Sequence, residues 1–217
     1  MAQLELIFLG QSGFLLQKGS SSLLIDPSKK KFGDVSGDVV FTTHYHSDHT
    51  NGIEIFLSRN PKAVLVCNEQ VADRFKQWRD RIVLAVPGEE IIQGSWKLRF
   101  VKGRHGLLSK VQNTGVVVQT QGTSFGHTGD SVDFQGFSHE SLDVFAIPIG
   151  GLFTASPKKA LNELKSFSQP LPVVIPMHWL WRSPHRFCRK LRERYPKSHC
   201  IVPKDRESVP WQIENAP

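Results

Sequence analysis

Four residues that can bind metal lie together in one short stretch of the sequence: His44, His46, Asp48 and His49. They directly follow the run 38–41, which is typical of a buried strand that delivers a loop to the edge of a sheet. Imidazole nitrogen and carboxylate oxygen suit zinc, manganese or iron, and the lack of a nearby cysteine argues against a closed structural zinc site. A histidine-rich surface loop is the alternative. So many ligand types directly after an apolar strand favour a metal site.

The segment 43–49, read as THYHSDH, resembles the HxHxDH signature of the metallo-β-lactamase superfamily. Three further residues lie, in order, where that family has its other ligands: His105, Asp130 and His178. Four neighbouring segments are similar to the branch that contains L-ascorbate-6-phosphate lactonase: 24–27, 127–130, 147–151 and 176–178. The resemblance covers residues 4–209.

The resemblance assigns the ligands to two divalent metal ions, with zinc as the first expectation and manganese kept open because this donor set suits both. The ligands fall into three groups: His44, His46 and His105 on one ion; Asp48, His49 and His178 on the other; and Asp130 as the bridge. The family mechanism implies that a hydroxide shared by the ions attacks the substrate. Asp48 would then be catalytic by taking the proton as the intermediate collapses.

Two residues beside these ligands carry weaker signals. His127 matches a histidine that often precedes Gly-Asp in the same branch, and we expect it to be catalytic, either by contacting substrate or by supporting a ligand. Asp26 ends the strand 22–25 and matches an aspartate that supports the metal loop in relatives. The alternative for Asp26 is a simple turn-forming Asp-Pro pair.

The surrounding pattern alternates between strands and helices. The predicted strands are 4–9, 13–17, 22–25, 63–67, 81–86, 90–92, 96–101, 116–119, 123–125, 144–147 and 173–176, the first three forming a meander. A short helix is predicted at 52–59, and helices capped by Asn68, Ser156 and Ser183 follow, the first reaching about Trp78. This pattern alone indicates a mixed α/β fold. The resemblance implies a four-layered αβ/βα sandwich, formed by residues 1–217 as a single domain, with the metals where the sheets meet.

Composition limits the class of protein. A chain of 217 residues with 39% hydrophobic residues can bury one sizeable core. No stretch reaches the ~18 apolar residues of a membrane span, and no signal peptide is evident, so we expect a cytoplasmic protein without a membrane partner. Cys67, Cys188 and Cys200 have no metal-ligand spacing, and we expect them to be reduced thiols.

The formal net charge is +7, and much of it lies in residues 29–31 and 182–197. The second stretch is either the solvated face of a helix or a surface that attracts anions. Arg104, Lys110 and Arg182 lie next to ligand-bearing turns and can reach a phosphate or carboxylate. The loops expected to shape the pocket are 29–37, 104–112, 152–156 and 179–182.

The resemblance implies a metal-dependent hydrolase, and the similarity to the lactonase branch favours a small anionic ester, lactone or phosphoester as its substrate. A nuclease is the alternative enzyme, favoured by the basic charge, although no RNA-gripping module is evident. A mononuclear iron sulfur dioxygenase and a non-catalytic scaffold are further alternatives, and the presence of all seven ligand types argues against both. The sequence does not indicate the oligomeric state.

Overall fold

Two six-stranded sheets face each other, and each is formed by one half of the chain. The computed structural model describes residues 4–28, 35–106, 110–120, 122–168 and 170–210. The basic run 29–31, most of the expected pocket loop 29–37, and residues 107–109 of the loop 104–112 lie outside the described residues.

In the first sheet the spatial order of the strands is the chain order. Its strands are β1 (Glu5–Phe8), β2 (Phe14–Lys18), β3 (Ser21–Ile25), β4 (Val39–Thr42), β5 (Val64–Cys67) and β6 (Ile82–Leu84). The first three strands pair antiparallel, as the predicted meander, and β3 to β6 pair parallel. Parallel pairs need crossover connections, and helices supply those from β4 to β5 and from β5 to β6.

The second sheet repeats this plan in the order β12-β11-β10-β9-β8-β7. Its strands are β7 (Glu90–Gln93), β8 (Trp96–Arg104), β9 (Gln112–Thr120), β10 (Thr123–His127), β11 (Val144–Pro148) and β12 (Val173–Met177). The strands β7 to β10 are antiparallel, and β10 to β12 are parallel. Strands β8 and β9 extend further towards the metal-ligand loops than the sequence pattern predicts.

Helices cover the outer face of each sheet. They are α1 (Ser47–Thr50), α2 (Ile53–Arg59), α3 (Glu69–Arg74), α4 (Pro157–Glu163) and α5 (Pro184–Arg194), with short 3-10 helices at Lys76–Arg81, Gln135–Phe137 and Leu164–Ser166. The three predicted caps are confirmed, because Asn68, Ser156 and Ser183 each accept a hydrogen bond from the main-chain N–H three residues later.

The helix predicted to reach Trp78 ends four residues earlier, at Arg74, and a 3-10 helix follows it. A tertiary contact explains the change. The Arg81 guanidinium donates hydrogen bonds to the carbonyl oxygens of Leu57 and Ala63, at 3.0 and 2.9 Å, and lies over the Trp78 ring at 4.8 Å. These contacts hold the segment against the end of α2 in a tighter turn than an α-helix has.

Three hydrophobic clusters fill the space between the layers. The central cluster lies between the two sheets and includes Phe41 of β4 and Phe100 of β8, whose rings stack at 6.1 Å. The outer clusters pack α2 and α3 on the first sheet and α4 and α5 on the second. The molecule is therefore the four-layered αβ/βα sandwich that the resemblance implied. Burying one such phenylalanine stabilises the fold by about 2–3 kcal/mol.

The cysteines differ from the prediction of three reduced thiols. Cys188 of α5 and Cys200 are joined by a disulfide with a Cα–Cα distance of 5.3 Å. Cys200 forms an isolated parallel bridge with Val174 of β12, and α5 packs on the same strand. That packing brings the two side chains together, which sequence spacing alone does not reveal. Cys67 is free and buried, and burial raises its pKa to about 12.

Candidate metal centre

The HxHxDH segment leaves the end of β4 and closes into the single turn of α1. The His46 carbonyl accepts hydrogen bonds from the His49 N–H and the Thr50 hydroxyl, each at 3.0 Å. This turn brings the His44 ring between its neighbours, with centroids 4.7 Å from the His46 ring and 4.0 Å from the His49 ring.

The remaining predicted ligands come from the second sheet. His105 directly follows β8, Asp130 lies in the loop after β10, and His178 directly follows β12. These residues therefore meet the HxHxDH loop at the edge of the sandwich where β4, β8, β10 and β12 end.

Seven side chains meet there in three overlapping groups, within each of which the potential ligand atoms lie no more than 4.8 Å apart. The groups are His44, His46 and His105; His44, His49 and Asp130; and Asp48, His49 and His178. The structure thus brings together all seven residues singled out in the sequence. The roles assigned to them stay predictions.

Asp130 occupies the middle of the cluster. Its Oδ2 lies 3.9 Å from the Nε2 atoms of His44 and His105 and 3.3 Å from that of His178. Its Oδ1 lies 3.5 Å from the Nε2 of His49. One carboxylate therefore faces histidines from both sides of the cluster, which is the position a bridging ligand requires.

The donor atoms fit a cation. Within the described residues, His49 Nε2, His105 Nε2 and Asp130 Oδ1 are buried and have no hydrogen-bond partner. A buried polar atom left unpaired costs about 1–3 kcal/mol, so several of them within one cluster need partners there. Nitrogen and oxygen donors of this kind are those that zinc and manganese accept.

Asp26 fixes the orientation of two of these rings. It is fully buried, and its Oδ1 accepts a hydrogen bond from the Thr43 N–H at 2.8 Å. Its Oδ2 accepts from the Thr43 hydroxyl and from His49 Nδ1, each at 2.8 Å. Because a carboxylate only accepts, Nδ1 of His49 carries a proton, which leaves Nε2 as the ring nitrogen that can bind a cation.

The same carboxylate reaches His44 through Thr43. The Thr43 hydroxyl donates its one hydrogen bond to Asp26, so it accepts a hydrogen bond from His44 Nδ1 at 3.0 Å. The Nε2 of His44 is therefore also unprotonated. The supporting role expected for Asp26 is confirmed, and the simple-turn alternative is wrong.

His127 lies behind the ligand cluster and is not exposed to solvent. Its ring is fully buried, its Nε2 donates to the Ser12 carbonyl at 2.9 Å, and its Nδ1 accepts from the Gly129 N–H at 3.1 Å. Both ring nitrogens are thus occupied by the main chain. Of the two roles expected for His127, this position favours support of a ligand over contact with substrate, and its catalytic role stays a prediction. The ring supports the loop that carries Asp130.

Sequence reasoning missed two residues that restrain the ligands. Asn113 donates to the Thr128 carbonyl at 2.9 Å and accepts from the Asp130 N–H at 3.0 Å. The side-chain amide of Gln11 donates to Asp48 Oδ2 at 3.1 Å, and the main-chain carbonyl of Gln11 accepts from the His178 N–H at 2.8 Å. Both lie in turns or strands without a motif, so the sequence carries no signal for either.

The charges of the cluster are set by burial and by the neighbouring side chains. Burial lowers the pKa of His44, His46 and His105, so these rings are neutral near pH 7. Burial favours the neutral form of Asp130, but the nearby histidines, His49 first, outweigh it and hold its pKa well below its usual range. Burial also disfavours the charged forms of His49 and His178, but the facing carboxylates, Asp130 first, outweigh it and raise the pKa of both rings. The cluster thus holds an ionised carboxylate opposite positive charge, a place that a divalent cation would take over from these protons.

One of the three basic residues expected beside the ligand-bearing turns has a partner of its own. The Nε of Arg104 is paired with Asp133 at 3.0 Å, which offsets part of its positive charge beside the groove. Lys110 and Arg182 are exposed. A groove of about 680 Å³ runs alongside His105 between the ends of the two sheets.

The architecture and the ligand cluster together define the metallo-β-lactamase fold class. Residues 5–178 match the family described as "Beta-lactamase superfamily domain", and the chain belongs to that family. The superfamily resemblance drawn from the HxHxDH motif is therefore confirmed.

The chain is similar to UPF0173 metal-dependent hydrolases. It is 30% identical to the one from Thermococcus kodakarensis, covering 79% of this chain and 83% of that protein. It is 29% identical to the one from Opitutus terrae, covering 87% of this chain and 92% of that protein. The chain is a metal-dependent hydrolase, whereas its likeness to L-ascorbate-6-phosphate lactonases stays a prediction.

Solved structures support the fold. Igni18, a metallo hydrolase from Ignicoccus hospitalis, superposes with a TM-score of 0.79 at 24% identity, covering 95% of this chain and 97% of that one. Among the described residues, no helix has both the length and the apolar character needed to cross a bilayer.

Proposed function

We propose that the chain hydrolyses a small anionic ester, lactone or phosphoester with the help of two divalent metal ions, zinc or manganese. One observation carries this proposal: seven side chains lie together with unpaired buried donor atoms, in three groups of which the middle one contains Asp130 and shares His44 and His49 with the other two. Shared ligands between adjacent groups are what a pair of neighbouring ions requires.

Each proposed ion has its own set of ligands. His44, His46 and His105 would hold one, Asp48, His49 and His178 the other, and Asp130 both. When bound, such ions act as Lewis acids and lower the pKa of water towards neutrality.

Asp48 is the carboxylate best placed to carry a proton. Its side chain is 46% exposed, whereas that of Asp130 is 4% exposed, so of the two it is Asp48 that can exchange with solvent or product. The amide of Gln11 donates to Asp48 Oδ2 and holds the side chain towards His178, whose Nε2 lies 3.3 Å away. Asp48 therefore combines a fixed position with access to the reacting atoms, as a general acid or base must.

The preference for an anionic substrate rests on Lys110 and Arg182. Both are exposed beside ligand-bearing turns, and Arg182 reaches to within 3.7 Å of the position a side chain at Gly151 would occupy. Arg104 supports this preference less, since its Nε is paired with Asp133 at 3.0 Å.

A parallel substrate screen tests the proposal. The zinc- and manganese-loaded protein would be assayed with lactones, bis-p-nitrophenyl phosphate, a thioester and single-stranded RNA, beside Asp48→Asn. We expect turnover of a lactone or small phosphoester that is lost in Asp48→Asn. Strong RNA cleavage that falls steeply with salt, beside inert small substrates, would identify a nuclease instead.

A further inference from the structure

Exposed apolar side chains are concentrated around the metal centre. In the part of the chain that the structure describes, the large ones on the loops after β11 and β12 are Leu152, Phe153, Leu180 and Trp181, which are 59%, 45%, 43% and 66% exposed. We call these four residues the apolar rim. Leu84 and Val86 line the groove beside His105. Ile92, which is 77% exposed, is the one large exposed apolar residue of the described chain that lies on the far edge strand of the second sheet.

The apolar rim adjoins the predicted ligands on two sides. The Phe153 ring lies 6.4 Å from the His105 ring, between centroids, and the Phe153 carbonyl accepts from the Gly106 N–H at 2.8 Å. Leu180 follows His178 by two positions, and its Cδ1 would lie 3.3 Å from a Cβ built on Gly150. Because β11 and β12 are parallel neighbours, their two loops lie side by side. An apolar surface therefore extends between the ligands His105 and His178.

Two leucines of the apolar rim have backbone angles that leucine rarely adopts. Leu152 has φ 57° and Leu180 has φ 51°, and a bulky residue in this left-handed region is strained. Neither side chain is buried in a core, so packing does not compensate for the strain. The loops are nevertheless fixed, by a Gly151 N–H to Ala155 carbonyl bond of 3.1 Å and an Arg182 N–H to Trp179 carbonyl bond of 2.7 Å. Strain kept at a site in this way points to function.

We propose that the apolar rim binds an alkyl or acyl chain of the substrate, next to the bond that is cleaved. This inference rests on the proposed hydrolase function, because it places the apolar group relative to the same metal centre. The preferred substrate is then amphiphilic, with a carboxylate or phosphate and a chain of several carbons. Burial of such a chain against partly exposed side chains favours binding in proportion to the apolar area removed from water.

Binding of carboxylate products tests the inference without requiring turnover. Titration calorimetry of the metal-loaded protein with butyrate, hexanoate and octanoate should show about two- to threefold tighter binding per added methylene. The same order should appear in kcat/KM for p-nitrophenyl esters and for γ-lactones of increasing alkyl length.

The variants are chosen to keep the fold intact. Leu152→Asn and Leu180→Asn remove the apolar group at positions where asparagine tolerates positive φ, and Phe153→Ser removes the ring beside His105. Each should flatten the dependence on chain length while binding of butyrate changes less than about twofold. Ile92→Asn is the matched control, since it removes a more exposed apolar side chain away from the centre and should leave the series unchanged.

Three results would overturn the inference. One is turnover of small esters with no dependence on chain length, which leaves the proposed function standing. The second is an equal effect of Ile92→Asn. The third is a wild-type dimer that the rim variants dissociate without altering the series, which would make the rim a contact between copies of this chain. Absence of any metal-dependent turnover, with the binding series intact, would instead count against the proposed hydrolysis alone.

Discussion

Replacing Asp26 by asparagine should lower the metal affinity of the HxHxDH loop while leaving the shape of the site almost unchanged. The carboxylate accepts three hydrogen bonds, from the Thr43 N–H, the Thr43 hydroxyl and His49 Nδ1, each at 2.8 Å. An amide offers one accepting oxygen and one donating NH₂ group in the same space. If the oxygen keeps the Thr43 N–H bond, the NH₂ group faces two atoms that both donate in the native protein.

The least costly response is a change of the His49 tautomer. Nδ1 would then accept from the amide, and the proton would move to Nε2, the atom that faces Asp130 at 3.5 Å. A protonated Nε2 cannot bind a metal, so the affinity of the site that includes His49 falls directly. Loss of an outer partner of this kind typically lowers metal affinity by about 10- to 100-fold. The two lost charge-assisted bonds should lower the free energy of unfolding by about 2–4 kcal/mol.

Zinc and manganese titrations in competition with a chromophoric chelator, together with urea unfolding of the metal-free protein, measure both effects. Asp143→Asn is the control, because Asp143 also accepts two bonds, from the Ser124 N–H at 2.7 Å and its hydroxyl at 3.1 Å, but lies away from the ligands. It should lower stability without changing metal affinity. Wild-type metal affinity in Asp26→Asn would refute the reasoning that Asp26 sets the His49 tautomer.

Three further predictions concern the scaffold. Gly129→Ala should weaken metal binding and lower the free energy of unfolding, measured in urea, by at least ~1 kcal/mol. The reason is that Gly129 has φ 57° and that a Cβ there would lie 2.4 Å from Asn113 Oδ1. Unchanged metal binding would contradict this prediction. Burial raises the pKa of Glu163, but hydrogen bonds from Lys159 and the Phe134 N–H outweigh it and lower that pKa. Glu163→Gln should therefore lower the free energy of unfolding by about 1 kcal/mol above pH ~5 and leave it unchanged once the pH falls below the lowered pKa. Thermal melts recorded across this pH range measure the difference. Cys67, with its pKa raised to about 12, should resist iodoacetamide at pH 8 until the protein is denatured, and rapid native labelling seen by mass spectrometry would contradict the buried position.

The seven candidate ligands could be singled out in the sequence because the HxHxDH motif is local and the resemblance that it supports indicated where the later ones should lie. His44 to His49 form one motif, and the later ligands follow apolar runs that are recognisable as strands. The helix caps were equally local, since Ser156 and Ser183 precede prolines that favour the first helical turn.

What the sequence did not show depends on contacts between distant segments. Gln11 meets Asp48 across 37 residues, and the His127 ring meets the Ser12 carbonyl across 115. The Cys188–Cys200 disulfide likewise follows from how α5 packs on β12. Hydrophobic periodicity indicates which face of a strand is buried, but it does not specify which polar group lies opposite.

The metal content of purified wild-type protein and Asp130→Ala tests the central claim most directly. With His199→Ala as a control at an exposed histidine, elemental analysis should give two divalent ions per chain in the wild type and in the control. Asp130→Ala should retain at most one ion, because the shared ligand is gone. A single tightly bound iron in the wild type, or two ions still bound in Asp130→Ala, would contradict the account.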